Sequence, residues 1–193
     1  MSVDERAPSL APTLPPPLEL QSERGTILRQ FTTENFAEYE PEIRALAERN
    51  MRRLDLAGIP PSHYLADSAE PDTLGYIISR NSSIYRVMGI FVSDELVGSL
   101  EGHAHDGEAH VVYLWIGQDY DGQGLGTDAF RTYLRHLYEQ EGVKVTTTLV
   151  AHGNEPSIKM HQKLGFHRMP SQPDGDLKYE LTKEEWENQQ KDT

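Results

Sequence analysis

Two hydrophobic periods divide this chain. From Ser83 to Gly117 the apolar positions follow strand spacing, in three runs of β-branched and aromatic residues: Ser83 to Val92, Glu95 to Ala104 and Ala109 to Gly117. Ser93-Asp94 and Asp106-Gly107 stand at the two reversals, and Asp-Gly is among the strongest two-residue hairpin signals. The pattern predicts an antiparallel meander in which His105 faces Glu108, His103 faces His110 and Glu101 faces Val112, all six on one face of the ribbon. Beyond the meander the period changes: Phe130, Leu134, Leu137 and Tyr138 form one helical stripe.

The remaining elements follow from shorter signals. Val143 to Val150 is a β-branched run and reads as a buried strand. Asn154 opens a helix that Gly165 closes, Phe166 to Met169 begins a further strand, and Leu177 to Leu181 completes a final hairpin. Toward the N-terminus, a strand over Thr26 to Phe31 leads to Thr32 or Thr33, which caps a helix from about Phe36 to Leu54. Pro60 and Pro61 end that region, and a second helix falls near Ala69 to Arg80. Residues 1–24, with Pro8, Pro12, Pro15, Pro16 and Pro17, read as an extended or disordered arm, and residues 25–193 as one folded domain. The class is α+β, with a mixed, mostly antiparallel central sheet flanked by helices.

Composition narrows the chemistry. The 193 residues contain no cysteine, which excludes disulfides, Cys-based zinc sites and a thiolate nucleophile. A net charge of −13 is the wrong sign for wrapping nucleic acid or lying on an anionic membrane, and it favours a cationic partner. No stretch approaches the ~18 apolar residues of a membrane span, and no secretory leader is visible, so a cytoplasmic location is expected. The oligomeric state is open, a homodimer being one option because dimers are common among homo-oligomers.

The segment Asp121-Gly122-Gln123-Gly124-Leu125-Gly126-Thr127 lies between a strand and a helix start. Unpaired backbone N–H groups and the positive end of the helix dipole meet there, and glycines let a diphosphate approach closely. A nucleotide-hydrolysing phosphate loop needs a lysine that is absent. Gly124 to Ala129 fits the dinucleotide pattern G-x-G-x-x-A, yet no acidic residue follows about 20 positions later to hold a ribose.

Together with the helix opened by Asn154, this loop becomes specific. Leu114 to Gly126 resembles the acetyl-CoA signature of the GNAT superfamily of N-acetyltransferases, and Asn154-Glu155-Pro156-Ser157 through His161, Lys163, Leu164, Gly165 and Phe166 resembles its second motif. Within the superfamily the chain looks closest to the ribosomal-protein-alanine acetyltransferase branch, which includes some antibiotic acetyltransferases. The resemblance implies a GNAT-like acyl-CoA N-acyltransferase fold, acetyl-CoA as cosubstrate, and direct acetyl transfer to a primary amine. That acceptor is a protein N-terminus, a polyamine, an aminoglycoside or another small amine. By position, Ile116 would offer backbone groups to the pantetheine arm, Gln123, Gly124, Leu125, Gly126 and Thr127 would hold the pyrophosphate, and Asn154 would bond the pantetheine. Two positions depart from the pattern. Asp121 replaces an Arg or Gln, and His161 replaces a tyrosine that protonates the leaving thiolate. A degenerate member that binds coenzyme A or a partner without catalysis is the alternative.

Amine acetylation needs a base, because an alkylammonium has a reference pKa of ~10. Glu101 is the candidate, with His103 and His110 as alternates. His161 is the candidate acid, as an imidazolium, with Ser157 as its substitute. Backbone N–H groups around Leu114 to Ile116 are the expected oxyanion donors. Loops at Ile59 to Asp72 and Pro170 to Asp176 would select the acceptor. A metal site from His103, His105 and His110 is weakly supported by one hairpin, and no metal is assigned.

Overall fold

The computed structural model describes residues 17–56, 85–170 and 176–191. In chain order they form β1 (Glu19–Gln21), β2 (Thr26–Gln30), α1 (Phe36–Leu56), β3 (Tyr85–Val92), β4 (Glu95–His105), β5 (Glu108–Ile116), a 3-10 turn (Gln118–Tyr120), α2 (Leu125–Glu139), β6 (Val145–Val150), α3 (Glu155–Lys163), β7 (His167–Arg168), β8 (Leu177–Thr182) and α4 (Lys183–Lys191). One eight-stranded sheet runs β1-β2-β3-β4-β5-β6-β8-β7. Every described pair is antiparallel except β5 with β6, which is parallel.

Both tight reversals have the backbone that two-residue hairpins demand. Ser93 and Asp94 sit at φ 51° and 65°, and Asp106 and Gly107 at 52° and 83°. At the head of α1, Thr32 Oγ1 accepts from the Asn35 amide at 3.3 Å while Asn35 Oδ1 accepts from the Thr32 amide at 2.8 Å. This reciprocal cap satisfies amides that a helix start would leave unpaired.

The sheet separates two apolar clusters. On one face, α1 and β2 to β4 bury Phe31, Phe36, Ile43, Leu46, Val87, Phe91 and Leu96. On the other, the α2 stripe Phe130, Leu134, Leu137 and Tyr138 packs with Leu28, Leu100, Val111, Leu164 and Leu181. Among the described residues no helix is long and apolar enough to cross a membrane.

Two expectations are corrected and one element is added. Glu19–Gln21, inside the segment read as an arm, pairs with Ile27 to Arg29, so the sheet reaches back into it. A β-bulge between Glu101 and Gly102 places Tyr113, not Val112, opposite Glu101, while His103↔His110 and His105↔Glu108 pair as expected. Helix α4 was not foreseen, although Thr182-Lys183-Glu184-Glu185 spells a capping box. Thr182 N donates to Glu185 Oε2 at 2.9 Å and Glu185 N donates to Thr182 Oγ1 at 3.3 Å. The predicted helix at Ala69 to Arg80, Pro60 and Pro61, and the Ile59 to Asp72 loop lie outside the described residues, as do residues 171–175 of the second loop.

Leu134 is fully buried beneath the sheet, so Leu134→Ala should lower unfolding free energy by about 2–5 kcal/mol. Chemical denaturation followed by circular dichroism measures it. A loss below ~1 kcal/mol would mean that α2 does not anchor the core.

Candidate active site

The parallel pair β5–β6 holds register only from Glu108↔Val145 to Val111↔Thr148. β5 continues to Ile116 and β6 to Val150, and a cleft of about 180 Å³ lies where their pairing stops. Its wall includes Val112 to Ile116 of β5, Thr148 and Leu149 of β6, and Asn154, Ser157, Met160 and His161 at the start and along the inner side of α3. Asp121 and Gly126 reach the same cleft from the glycine loop.

That loop is shaped by two glycines. Gly122 and Gly124 adopt φ 73° and 79°, a region L side chains rarely occupy, and a Cβ on either would point into open space. Gly124 is the N-cap of α2, and its carbonyl accepts from Asp128 N at 3.0 Å. The preceding amides, Leu125, Gly126 and Thr127, therefore belong to the helix turn that has no intrahelical acceptor. Gly126 matters for a different reason. A Cβ there would stand 3.3 Å from Ile116 Cγ1, 3.5 Å from Leu114 Cδ2 and 3.7 Å from Met160 Sδ, so any side chain larger than a methyl would enter the space between β5 and α3.

On the opposite lip, Asn154 caps α3 by accepting from the Ser157 amide through Oδ1 at 3.3 Å. Its amide nitrogen is thereby oriented as the donor end of the side chain. Of the residues expected to hold a cofactor, Ile116, Gly126 and Asn154 line the cleft itself. Gln123, Gly124, Leu125 and Thr127 are not among the residues that line it. The Gln123 side chain is exposed and donates to the Asp119 carbonyl at 3.4 Å, so its contribution would come from its backbone. Open αL glycines, a helix N-terminus and a slot between two strands fit the pyrophosphate and thin pantetheine arm of coenzyme A.

His161 is 4% exposed, with its ring among Phe130, Phe166 and Tyr179 at centroid distances of 5.2 to 5.5 Å. Its Nδ1–H donates to the Ser157 carbonyl at 2.7 Å, and Nε2 is buried without a hydrogen-bond partner among the described residues. Burial lowers its pKa to about 4 against the partial support of that bond, so the ring is neutral around pH 7. Burial therefore works against the imidazolium that the sequence allows. Ser157 Oγ lies 3.3 Å from the same Nδ1 and keeps its own proton for a partner in the cleft.

Glu101 is one strand removed from the cleft wall. It is only 2% exposed, and it shares a sheet face with its register partners Val87 and Tyr113, the latter lining the cleft. Burial pushes its carboxyl up to about 7, opposed by a hydrogen bond in which the Tyr85 hydroxyl donates to Oε2 at 3.0 Å. His103 stacks on Tyr85 and lies beside His110, whose Nδ1 is 3.0 Å from Thr147 Oγ1. Burial holds His110 below the usual histidine range, with His103 and Lys178 adding to the effect. His105 stands apart, exposed and paired with Asp106, and among the described residues no cluster of metal-ligating side chains forms. Tyr85 was missed from the sequence. A lone tyrosine at a strand start carries no signal, and only the β3–β4 register brings it to Glu101.

A mixed sheet parted between two parallel strands, with two helix N-termini at the opening, defines an N-acetyltransferase fold. Solved structures agree. The PaiA N-acetyltransferase of Thermoplasma acidophilum, in complex with coenzyme A, superposes with a TM-score of 0.66 at 17% identity over 81% of this chain and 98% of its own. RimJ of Mycobacterium smegmatis, in complex with CoA-disulfide, gives 0.62 at 19% identity over 88% of each chain. The aminoglycoside acetyltransferase AAC(6')-Ib, with ribostamycin and coenzyme A, gives 0.66 at 17% identity over 88% of this chain and 99% of its own. No curated protein sequence matches significantly. The model of the acetyltransferase (GNAT) family matches residues 29–166, and the chain belongs to that family.

If His161 is the neutral Nδ1–H tautomer, its ring resonances should not titrate between pH 5.5 and 8 in histidine NMR spectra. A midpoint near the ordinary 6.5 would restore the imidazolium.

Proposed function

We propose that this protein transfers the acetyl group of acetyl-CoA directly to a primary amine, with Glu101 as general base. The observation that carries this reading is the coincidence of three features at the end of β5. These are the parted strands, the open glycine loop, and a buried carboxylate on the adjoining strand whose pKa lies near neutrality.

Bound acetyl-CoA supplies the acetyl group as an activated thioester. Backbone amides from Gln123 to Thr127 would hold its pyrophosphate, and backbone groups of Ile116 with the Asn154 amide its pantetheine arm. Glu101 takes the proton that an incoming ammonium must lose, directly or through a water. A carboxylate poised near pH 7 is both ionised enough to accept that proton and basic enough to draw it. His161 has its one N–H committed to a carbonyl. We therefore assign the proton-donor role to Ser157, whose hydroxyl lines the cleft, and give His161 the task of holding Ser157 in place.

The acceptor is read as a cationic amine. A net charge of −13 attracts one, and a buried carboxylate beside Tyr85, Tyr113 and His103 offers an ammonium both an anion and aromatic faces. One structural neighbour is a ribosomal L7/L12 alpha-N-protein acetyltransferase and another, AAC(6')-Ib, is bound to the aminoglycoside ribostamycin, and both acceptor kinds fit that description.

Two variants separate binding from chemistry. Gly126→Val should abolish calorimetric binding of acetyl-CoA while leaving the far-ultraviolet spectrum intact, because its side chain fills the slot between Ile116 and Met160. Glu101→Gln should bind acetyl-CoA normally and lose roughly 10²–10⁴-fold in kcat against a reactive polyamine or aminoglycoside. Its stability gives an independent check. The folded protein keeps the Glu101 proton up to about pH 7, whereas the unfolded chain releases it near 4.5, so this group lowers stability as pH rises through that interval. Glu101→Gln should accordingly melt no lower than wild type at pH 8. Undiminished turnover in Glu101→Gln would remove it as the base.

A further inference from the structure

Glu101 has two oxygens, and a base that must meet an amine in one direction needs one of them fixed. Among the described residues the groups facing it are few. From β3 comes Tyr85, from β5 Tyr113 opposite it and His110 beyond, from its own strand His103, and on its α1 side the neighbouring cluster is apolar. Among the described side chains only Tyr85 is hydrogen-bonded to the carboxylate, at 3.0 Å to Oε2. The Tyr85 ring is itself held, stacked on His103 at 6.2 Å between centroids with an interplanar angle of 15°. Strand pairing sets both contacts, because Tyr85 is the register partner of His103 and Val87 that of Glu101.

We propose that Tyr85 is a positioning residue for the base: its hydroxyl occupies Oε2, turns Oε1 toward the acceptor, and favours the ionised carboxylate inside a site that would otherwise keep it protonated. The proposal rests on the assignment of Glu101 as base. A phenol O–H donor stabilises the charged carboxylate more than the protonated acid, because the charge-assisted hydrogen bond is the stronger. Burial works the other way, and the two together leave the carboxyl near neutrality. Tyr85 does not touch the acceptor's reacting atom. It acts through Glu101, and its effect is on the pH at which the enzyme switches on.

The test is the pH profile of kcat/KM for wild type, Tyr85→Phe and Glu101→Gln, with acetyl-CoA and a single amine acceptor of known pKa. Wild type should show an acid limb with a midpoint near 7. Tyr85→Phe keeps the ring and its stacking on His103, so it should fold with an unchanged melting temperature at pH 6. Its acid limb should move upward by about one pH unit. The loss is then roughly tenfold at pH 6 and small at pH 9, in kcat rather than in KM for acetyl-CoA. A merely structural role would lower activity evenly across pH. Two failures are distinguishable. If Glu101→Gln retains the acid limb, the base is wrongly assigned. If Glu101→Gln abolishes it but Tyr85→Phe leaves its midpoint in place, Glu101 stands and the role of Tyr85 is overturned.

Discussion

The parting of β5 from β6 after Val111↔Thr148 is the constraint on which this molecule turns. Backbone N–H and C=O groups at a strand edge need partners, and a sheet ordinarily supplies them along its whole length. Here the only parallel pair in the described sheet stops being a pair while both strands continue. Parallel neighbours also require a crossover, and the crossover is α2. The chain leaving β5 must therefore start α2 at the carboxyl end of that strand, beside the opening. The chain leaving β6 does the same with α3. Two helix N-termini are thus delivered to one gap by connectivity alone, with Gly124 capping the first and Asn154 the second. Open α/β sheets bind ligands outside the carboxyl ends of their strands for this same reason.

The two faces of the sheet divide the remaining work. The α2 face is continuous apolar core, and it fixes the height at which the gap can open. The α1 face is apolar only at its β2–β4 end. Beyond that end a polar row crosses six strands in register, Tyr85, His103, His110, Thr147, Glu180 and His167. Glu101 sits at the junction of the two regimes. It is buried enough for its carboxyl to rise toward neutrality, yet next to the polar row and to the cleft-lining Tyr113. A carboxylate deeper in the apolar end would stay protonated, and one farther along the row would be solvated and weakly basic.

Much of this was legible in the letters. The meander, the α2 stripe and the Asn154 cap each rest on local rules: hairpin dipeptides, a helical period, a capping side chain. The glycine loop was legible because Gly122 and Gly124 meet a backbone requirement that few other residues satisfy. What escaped is non-local. The bulge that slides Tyr113 opposite Glu101 depends on how β4 and β5 coil, and no residue type announces it. The burial that disfavours a charged His161 is likewise set by Phe130 on α2, Tyr179 on β8 and Phe166 in the turn after α3, and the first two converge on it only in the fold. A resemblance in sequence carried over a role for that position, but the environment decides the protonation state.

Asp121 shows the same principle from the other side. By letter it is a carboxylate where a diphosphate should sit, and Coulomb repulsion at contact distance in a dry site would be prohibitive. In the fold it is exposed, in extended backbone at φ −61° and ψ 148°, three residues before the N-cap that opens α2. Solvent and salt screen it there, so its effect on an anion is modest. A carboxylate just ahead of a helix start is moreover favourable to the helix dipole. On the proposed reading Asp121 would favour the helix start and compete only weakly with a bound diphosphate, because the backbone amides from Leu125 to Thr127 keep their orientation whatever side chain stands at 121.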